Sequence, residues 1–290
     1  MKKGIIWGCL MMLILMGSGC SAKSDMENTK KPNPVQPNRF VTRQELYSFL
    51  GSTKTAAGST GRIVGAVSPH HLTAGSMIAA VIEKIAEQKP RVIIIVGPNH
   101  NNEGARILTG FYDWQGPDGV VKTEQTIVQT LLTNNVAACN EEILSHEHSI
   151  GSLVPFIGHY LPEARIVPII LQHGVSRNEL DELLATLEQF LADDVVILAS
   201  IDFSHYLPRQ EAYERDKVTL QAMQEGDIAR IYGMNSEYLD SPASLALVLA
   251  RARQAGVQGF KVLDHSNSGD ILGNDLIETT SYFTLLMQTE

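Results

Sequence analysis

The sequence of 290 residues contains little cysteine, and the cysteines present cannot form a disulfide framework. There are three of them, Cys9, Cys20 and Cys139, and only Cys139 lies in the region that we expect to fold. A single thiol has no partner within a domain. The fold must therefore rest on a hydrophobic core, for which a chain of this length with 44% hydrophobic residues is sufficient.

Positive charge is also scarce. The chain has 23 lysine and arginine residues against 32 aspartate and glutamate residues, which gives a formal net charge of −9. Removal of Lys2 and Lys3 with an N-terminal signal would leave 21 basic residues and a net charge of about −11 by the same count. A protein of this charge has no general attraction for nucleic acid, so a nucleic-acid-binding function is disfavoured.

The N-terminal hydrophobic run is too short for a spanning helix. It extends from Ile5 to Met16, whereas a transmembrane helix needs roughly 18 residues or more. Two lysines before it and small residues after it predict a secretory signal peptide over residues 1–19. Cys20 then occupies the acylated position of a bacterial lipoprotein, although Gly17 stands where a lipobox has leucine. We expect an extracytoplasmic protein attached to a bacterial membrane by a lipid anchor only; the alternative is cleavage near Ala22 and a soluble secreted protein.

The rest of the chain divides into a tether and a domain. Residues 20–61 have the polar, proline-containing and glycine-rich composition of a tether and spacer, with a short helix over residues 42–50, and the domain spans residues 62–290. Apolar strands alternate with helical patterns through that domain. This order predicts an α/β fold with a mainly parallel or mixed central sheet and helices on both faces.

Histidines follow three of the predicted strands. His70 comes soon after the strand Ile63–Val67, His100 after Val92–Val96, and His205 after Val195–Ala199. The carboxyl ends of neighbouring parallel strands share one edge of a sheet, and ligands bind in the crevice there. Imidazole binds first-row metals and transfers protons near neutral pH. The three histidines together therefore predict a metal-type site at this edge.

A fourth polar cluster contains Glu147 and His148, just before a predicted helix. A carboxylate beside an imidazole is a common device for orienting metal ligands. The alternative is a helix cap, in which Glu147 favours the helix dipole and Ser149 caps. Both roles are compatible.

Four motifs in this order resemble those of the Memo-like family, whose bacterial and archaeal members are called AmmeMemoRadiSam system protein B. They are Ser68-Pro69-His70, Gly97-Pro98-Asn99-His100, Glu147-His148-Ser149-Ile150 with Pro155-Phe156, and Asp202-Phe203-Ser204-His205-Tyr206. The resemblance covers roughly Arg62 to Met287. It implies a fold similar to that of class III extradiol dioxygenases, which hold a non-haem iron with two histidines and a carboxylate.

The resemblance implies that His70 and His100 are metal ligands, and that Asp202, His205, Glu147 and His148 line the same pocket and include its catalytic groups. Many members have a cysteine ligand before a late helix, where this sequence has Glu237-Tyr238-Leu239-Asp240-Ser241-Pro242-Ala243. The third ligand is then Asp240, with His71 or His205 as alternatives. One divalent ion is expected, iron in first place, with zinc, copper and manganese as alternatives; a carboxylate in place of a thiolate argues against copper(I).

Two functions remain open at this point. The first is a mononuclear metalloenzyme, an oxygenase or hydrolase acting on a small molecule. The second is a metal-binding or protein-interaction module that keeps the dioxygenase-like fold without catalysis. The family also implies AMME-type and radical SAM proteins as pathway partners, and this chain lacks the Cys-x3-Cys-x2-Cys motif that a radical SAM enzyme needs.

Overall fold

A computed structural model describes residues 32–50, 61–274 and 276–289. The strands are β1 Val35–Gln36, β2 Ile63–Ser68, β3 Val92–Pro98, β4 Ile107–Thr109, β5 Asp113–Gly116, β6 Gly119–Thr123, β7 Ala138–Cys139, β8 Arg165–Leu171, β9 Val195–Ser200, β10 His205–Leu207, β11 Lys261–Asn267 and β12 Thr279–Gln288. The helices are α1 Arg43–Leu50, α2 Gly75–Ala86, α3 Gln125–Thr133, α4 Glu141–His146, α5 His148–Gly151, α6 Val154–Tyr160, α7 Arg177–Glu188, α8 Arg209–Glu225, α9 Ile228–Tyr232, α10 Pro242–Gln254 and α11 Ser268–Leu272, with a 3-10 helix at Leu72–Ala74.

The centre of the sheet is parallel and its margins are mixed. The strand order is β1-β5-β6-β8-β3-β9-β2-β12-β10, with β11 on β12 and β4 joining β7 and β8. Strands β8, β3, β9 and β2 are parallel neighbours, whereas β12 pairs antiparallel with β2. The predicted α/β fold with a mainly parallel or mixed sheet is confirmed.

The central strands are covered on both faces because their apolar residues alternate between two cores. In β3, Ile94 and Val96 pack in one core, which includes residues of α7 and α10. Ile93 and Ile95 pack in the other core, which includes residues of α2 and α6. A strand buried on both faces needs an unbroken apolar run, as its sequence shows.

The register of the parallel strands brings the carboxyl ends of β2, β3 and β9 to one edge. Ser68 pairs with Ser200, and Val96 pairs with Ala199, so the three strands end side by side. The loops that carry His70, His100 and the segment after Ser200 therefore leave the sheet together, as the sequence predicted.

Part of the segment predicted as a tether is ordered against the sheet. The expected helix over residues 42–50 is α1, whose Leu46 is buried, and β1 pairs with β5. The predicted signal peptide, Cys20 and most of the spacer lie outside the described residues. Within the described ranges, no helix combines the length and the apolar character needed to cross a bilayer.

Candidate metal centre

The hydrogen bonds of His70 decide which of its ring nitrogens is free. Its side chain is buried, and its backbone N–H donates to Oδ1 of Asp202 at 3.1 Å. Nδ1 lies 3.0 Å from Oγ of Ser200, whose own hydroxyl donates to the carbonyl of Ser149 at 2.6 Å. Because that hydroxyl proton is used, Nδ1 must carry the proton and donate to Ser200. The lone pair of neutral His70 is then on Nε2, which faces Asp240 Oδ2 at 3.2 Å.

His100 is oriented in the same sense by Glu147. Oε1 of Glu147 lies 2.8 Å from Nδ1 of His100, and Oε2 accepts the His100 backbone N–H at 2.9 Å. Glu147 also caps α5, because its Oε1 accepts the backbone N–H of Ser149. The carboxylate can only accept, so Nδ1 of His100 donates and Nε2 is free. Glu147 therefore both holds the ring of His100 and caps α5, and the cap is Glu147 and not the expected Ser149.

Asp240 completes the set from a distant part of the chain. It lies just before α10, and its backbone N–H donates to the carbonyl of Asp202 at 3.0 Å. Its Oδ2 is 3.2 Å from Nε2 of His70 and 3.8 Å from Nε2 of His100. Its other oxygen, Oδ1, is buried and has no hydrogen-bond partner among the described residues. Two free imidazole nitrogens and an underused carboxylate thus converge on one point.

His148 offers a further nitrogen to the same place. Its ring stacks on that of His100 with centroids 4.0 Å apart, and lies 5.1 Å from the ring of His70. Two groups of donor atoms lie close enough together to share one ion: His70 with His100 and His148, and His70 with Asp202 and Asp240. Both groups contain His70, so it is their common member.

The carboxylates hold a positive charge on His70 when no metal is present. Burial lowers the pKa of His70, but Asp202 and Asp240 outweigh it and raise the pKa to about 9. Burial likewise opposes ionisation of Asp240, yet His70 lowers the pKa of that carboxyl. A proton on Nε2 of His70 therefore occupies the position that a metal ion would take.

In contrast to His70, both His148 and Glu147 have lowered pKa values. Burial and the neighbouring imidazoles of His100 and His70 lower the pKa of His148 to about 4. Burial raises the pKa of Glu147, but the hydrogen bonds and electrostatic attraction of His100, together with the hydrogen bond from the backbone N–H of Ser149, outweigh it and lower the pKa to about 2. At neutral pH His148 is neutral and keeps a nitrogen lone pair, and Glu147 is ionised, as it must be to accept the hydrogen bond from Nδ1 of His100.

His205 and His71 occupy different positions from these. His205 lines the cavity beside Asp240, and its Nδ1 is buried without a hydrogen-bond partner among the described residues. His71 is exposed, and its Nδ1 lies 2.7 Å from the hydroxyl of Tyr282. His71 belongs to neither donor group. Neither His71 nor His205, the two alternatives for the third ligand, belongs to a donor group that contains His70.

A cavity of about 420 Å³ opens next to His100 and Asp240. Its other lining residues come from the ends of β3 and β8 and the loops after them, from β10, and from the segment that runs from the end of α9 into α10: Pro98, Asn99, Asn102, Leu171, Gln172, His173, Val175, His205, Tyr206, Tyr232, Gly233, Met234, Asn235, Ser236, Ser241, Pro242 and Ala243. A small molecule could lie here within reach of an ion at the candidate centre.

The sequence reasoning did not identify Ser200 as a site residue. Ser200 is the last residue of β9 and sets the tautomer of His70. A polar residue that ends an otherwise apolar buried strand was the available signal. His148, predicted as a pocket residue, lies in one of the two groups of donor atoms that could hold an ion.

Comparisons with known proteins agree with this architecture. Residues 41–285 match the sequence model of the family described as Memo-like protein. A MEMO1 family protein of Caldivirga maquilingensis is 28% identical over 246 residues, covering 81% of this chain and 86% of that protein. One from Thermotoga maritima is 29% identical over 237 residues, covering 77% and 82%. An uncharacterized Escherichia coli K12 protein of known crystal structure superposes with a TM-score of 0.51 at 12% identity, over 77% of this chain and 99% of that one, which shows a shared fold.

Proposed function

The chain belongs to the Memo-like protein family, and on that premise we propose that it holds one divalent metal ion between His70, His100 and Asp240. One observation carries the proposal. Each histidine has its Nδ1 engaged, by Ser200 and by Glu147, and its Nε2 directed towards Oδ2 of Asp240. Fixing the outer nitrogen so that the inner one is free is the usual support of histidine metal ligands. The buried, unpartnered Oδ1 of Asp240 fits the same group.

The donor set favours iron in our proposal. Two imidazoles and a carboxylate are the ligands of non-haem iron(II) sites, and zinc and manganese accept them too. Copper(I) prefers thiolate or thioether donors, and in the described part of the chain the one cysteine, Cys139, is an exposed residue outside both donor groups. We therefore place iron first, and zinc or manganese next.

We propose further that the protein is a metalloenzyme, an oxygenase or hydrolase that acts on a small molecule in the adjacent cavity. An ion with three protein ligands supplies a Lewis acid with open positions for water or dioxygen. His205 lines the cavity and is suited to give or take a proton from the substrate. Asp202 holds the backbone of His70, and Glu147 holds His100, so both act by positioning.

Metal analysis of purified protein tests the ligand set. Wild-type protein reconstituted with iron(II) without oxygen, or with zinc, should bind one ion per chain. His70→Ala, His100→Ala and Asp240→Asn should each weaken binding by more than about 100-fold, since even outer-shell partners are worth 10- to 100-fold. His173→Ala is the matched control, because His173 lines the same cavity but joins no donor group. Equal metal content in wild type and all three variants would refute the proposal.

Turnover separates an enzyme from a metal-binding module. Iron-loaded protein should consume oxygen, or cleave a hydrolysable analogue, with at least one member of a panel of ring compounds and esters. That activity should disappear in His205→Gln while the bound iron stays, because His205 is proposed to move a proton and not to bind the ion. A protein that binds iron tightly and turns over none of the panel would be a binding module.

A further inference from the structure

The cavity beside the metal centre has an unusual balance of charge. Among the described residues that line it there is no lysine or arginine, and the polar side chains are mainly amides and hydroxyls, including Asn99, Asn102, Gln172 and Asn235. Proteins bind carboxylates and phosphates with guanidinium or ammonium groups. A bound divalent ion would already face two carboxylates, those of Asp240 and Asp202. The lining therefore suits an uncharged ligand that offers hydrogen-bonding groups.

Tyr206 stands at the mouth of this cavity in a strained backbone conformation. It lines the cavity next to His205 and has a φ of 58°. The pairing of β10 with β12 shifts register between His205 and Leu207, which makes Tyr206 the bulge residue. A left-handed backbone is unfavourable for residues that carry a Cβ atom, and glycine is the usual choice there.

The side chain of Tyr206 contributes little to the stability of the fold, although its backbone is strained. The residue is 71% exposed, more than most of the large hydrophobic residues that reach the surface. Its side chain buries little surface that would offset the cost of the backbone. Bulges near active sites redirect a side chain, and strain of this kind is found where a site requires one geometry. The bulge places Tyr206 among the residues that line the cavity.

We propose that Tyr206 is a substrate-contacting residue, and that its ligand is an uncharged planar molecule with hydrogen-bonding groups. This inference rests on the proposed function only for the identity of the site. The ring of Tyr206 would pack on the face of the bound molecule, while the amides of Asn102 and Asn235, which use only their Oδ1 atoms within the described fold, bind its polar groups. The backbone strain keeps the ring at the mouth before the ligand arrives.

Benzamide and benzoate form a matched pair of probes for the charge of the ligand. They have nearly the same shape, but only benzoate is an anion at neutral pH. With zinc-loaded full-length protein, ligand-observed NMR titration should show benzamide binding at least about fivefold more tightly than benzoate, the difference that one unpaired charge makes at a minimum. Absent benzamide binding, or tighter binding of benzoate, would overturn the uncharged class.

Substitutions at Tyr206 test the contact. Tyr206→Ala and Tyr206→Gly should weaken benzamide binding about three- to tenfold, the range of one aromatic contact. Tyr206→Phe keeps the ring and should stay within about twofold of wild type. Equal affinity in all four proteins, with zinc bound in each, would overturn the contact.

Thermal unfolding distinguishes this role from a structural one. Tyr206→Gly relieves the left-handed strain and should unfold at a temperature equal to or above that of wild type, even though it binds benzamide less well. Lys89→Gly is the control, since Lys89 has a similar φ of 51° and lies outside the cavity; it should leave benzamide binding unchanged. A large loss of stability in Tyr206→Gly would make the residue structural. Zinc content, measured separately, reports on the proposed function itself.

Discussion

Ser200 shows how a single small side chain determines the chemistry of a larger one. Its hydroxyl proton is committed to the carbonyl of Ser149, so it can only accept from Nδ1 of His70. The histidine is thereby fixed as the tautomer whose Nε2 is free to bind a metal ion. Ser200 belongs to neither group of donor atoms and acts through His70 alone.

Removal of the Ser200 hydroxyl should weaken metal binding. In Ser200→Ala, Nδ1 of His70 loses its acceptor and the ring loses its fixed tautomer, so we expect about a 10- to 100-fold fall in zinc affinity. Competition with a chelator measures it. Ser149→Ala is the control: it removes a buried hydroxyl that donates to the carbonyl of Pro98 and leaves the Ser149 carbonyl in place. The same loss in both variants would count against the tautomer argument.

The raised pKa of His70 predicts how the metal-free protein responds to pH. The folded-state pKa of about 9 lies above the ordinary histidine pKa of 6.5, so protonation of His70 stabilises the folded state. This contribution is complete below pH 6.5 and is lost as the pH rises through 9. Metal-free protein should therefore unfold at a progressively lower temperature between pH 6.5 and 9.

Metal reverses that dependence, because it displaces the proton from Nε2. Zinc affinity should rise with pH up to about 9, by as much as tenfold per pH unit for one released proton. Titration calorimetry of zinc binding in buffers of different ionisation enthalpy gives the number of protons that zinc releases. His70→Gln should abolish the stability trend of the metal-free protein over this range; an unchanged trend would assign it to another group.

At the scale of elements, the site depends on how closely β3 passes its neighbours. A Cβ atom on Gly97 would lie 2.8 Å from Cβ and Oγ of Ser149 and 3.3 Å from Cβ of Ser200. Strand β3 therefore approaches both α5 and β9 at the point where they support His100 and His70. Glycine is required here for close packing.

Gly97→Ala should disturb stability and metal binding together. Overpacking of this kind costs about 1–3 kcal/mol of unfolding free energy, and the shift of Ser149 and Ser200 should lower zinc affinity as well. Chemical denaturation and chelator competition measure the two effects. At Gly174 an added Cβ meets nothing within 4 Å, so Gly174→Ala should change neither. A fully stable Gly97→Ala that binds zinc normally would contradict the packing argument.

The sequence predicted the elements better than the connections between them. Unbroken apolar runs predict buried parallel strands, and parallel strands place His70 and His100 at one edge. Asp240 is different, because α8 and α9 separate it from β10, and no local pattern shows that its backbone pairs with Asp202. The bulge at Tyr206 also could not be predicted from the local sequence, because it arises from the pairing of β10 with β12, which lies far along the chain.

At the scale of the whole molecule, attachment to a membrane remains our expectation from the N-terminal sequence. If Cys20 is acylated, cells fed labelled palmitate should produce labelled wild-type protein and unlabelled Cys20→Ser, because the acyl chains depend on that thiol. Cys139→Ser controls for the exposed thiol of the domain. Unlabelled wild-type protein would favour the secreted form, and equal label in the Cys20→Ser variant would show acylation at another residue.

Strand β12 has a consequence for the order in which the protein is made. Its Ser281 exchanges backbone hydrogen bonds with Phe203 and Ser204, so the loop between Asp202 and His205 is held by residues synthesised much later. Long-range pairings form only when both partners are available. A nascent chain therefore has no finished site until β12 has been made. If the chain is exported before it folds, the supply of metals in the receiving compartment, and not in the cytoplasm, selects the ion it keeps.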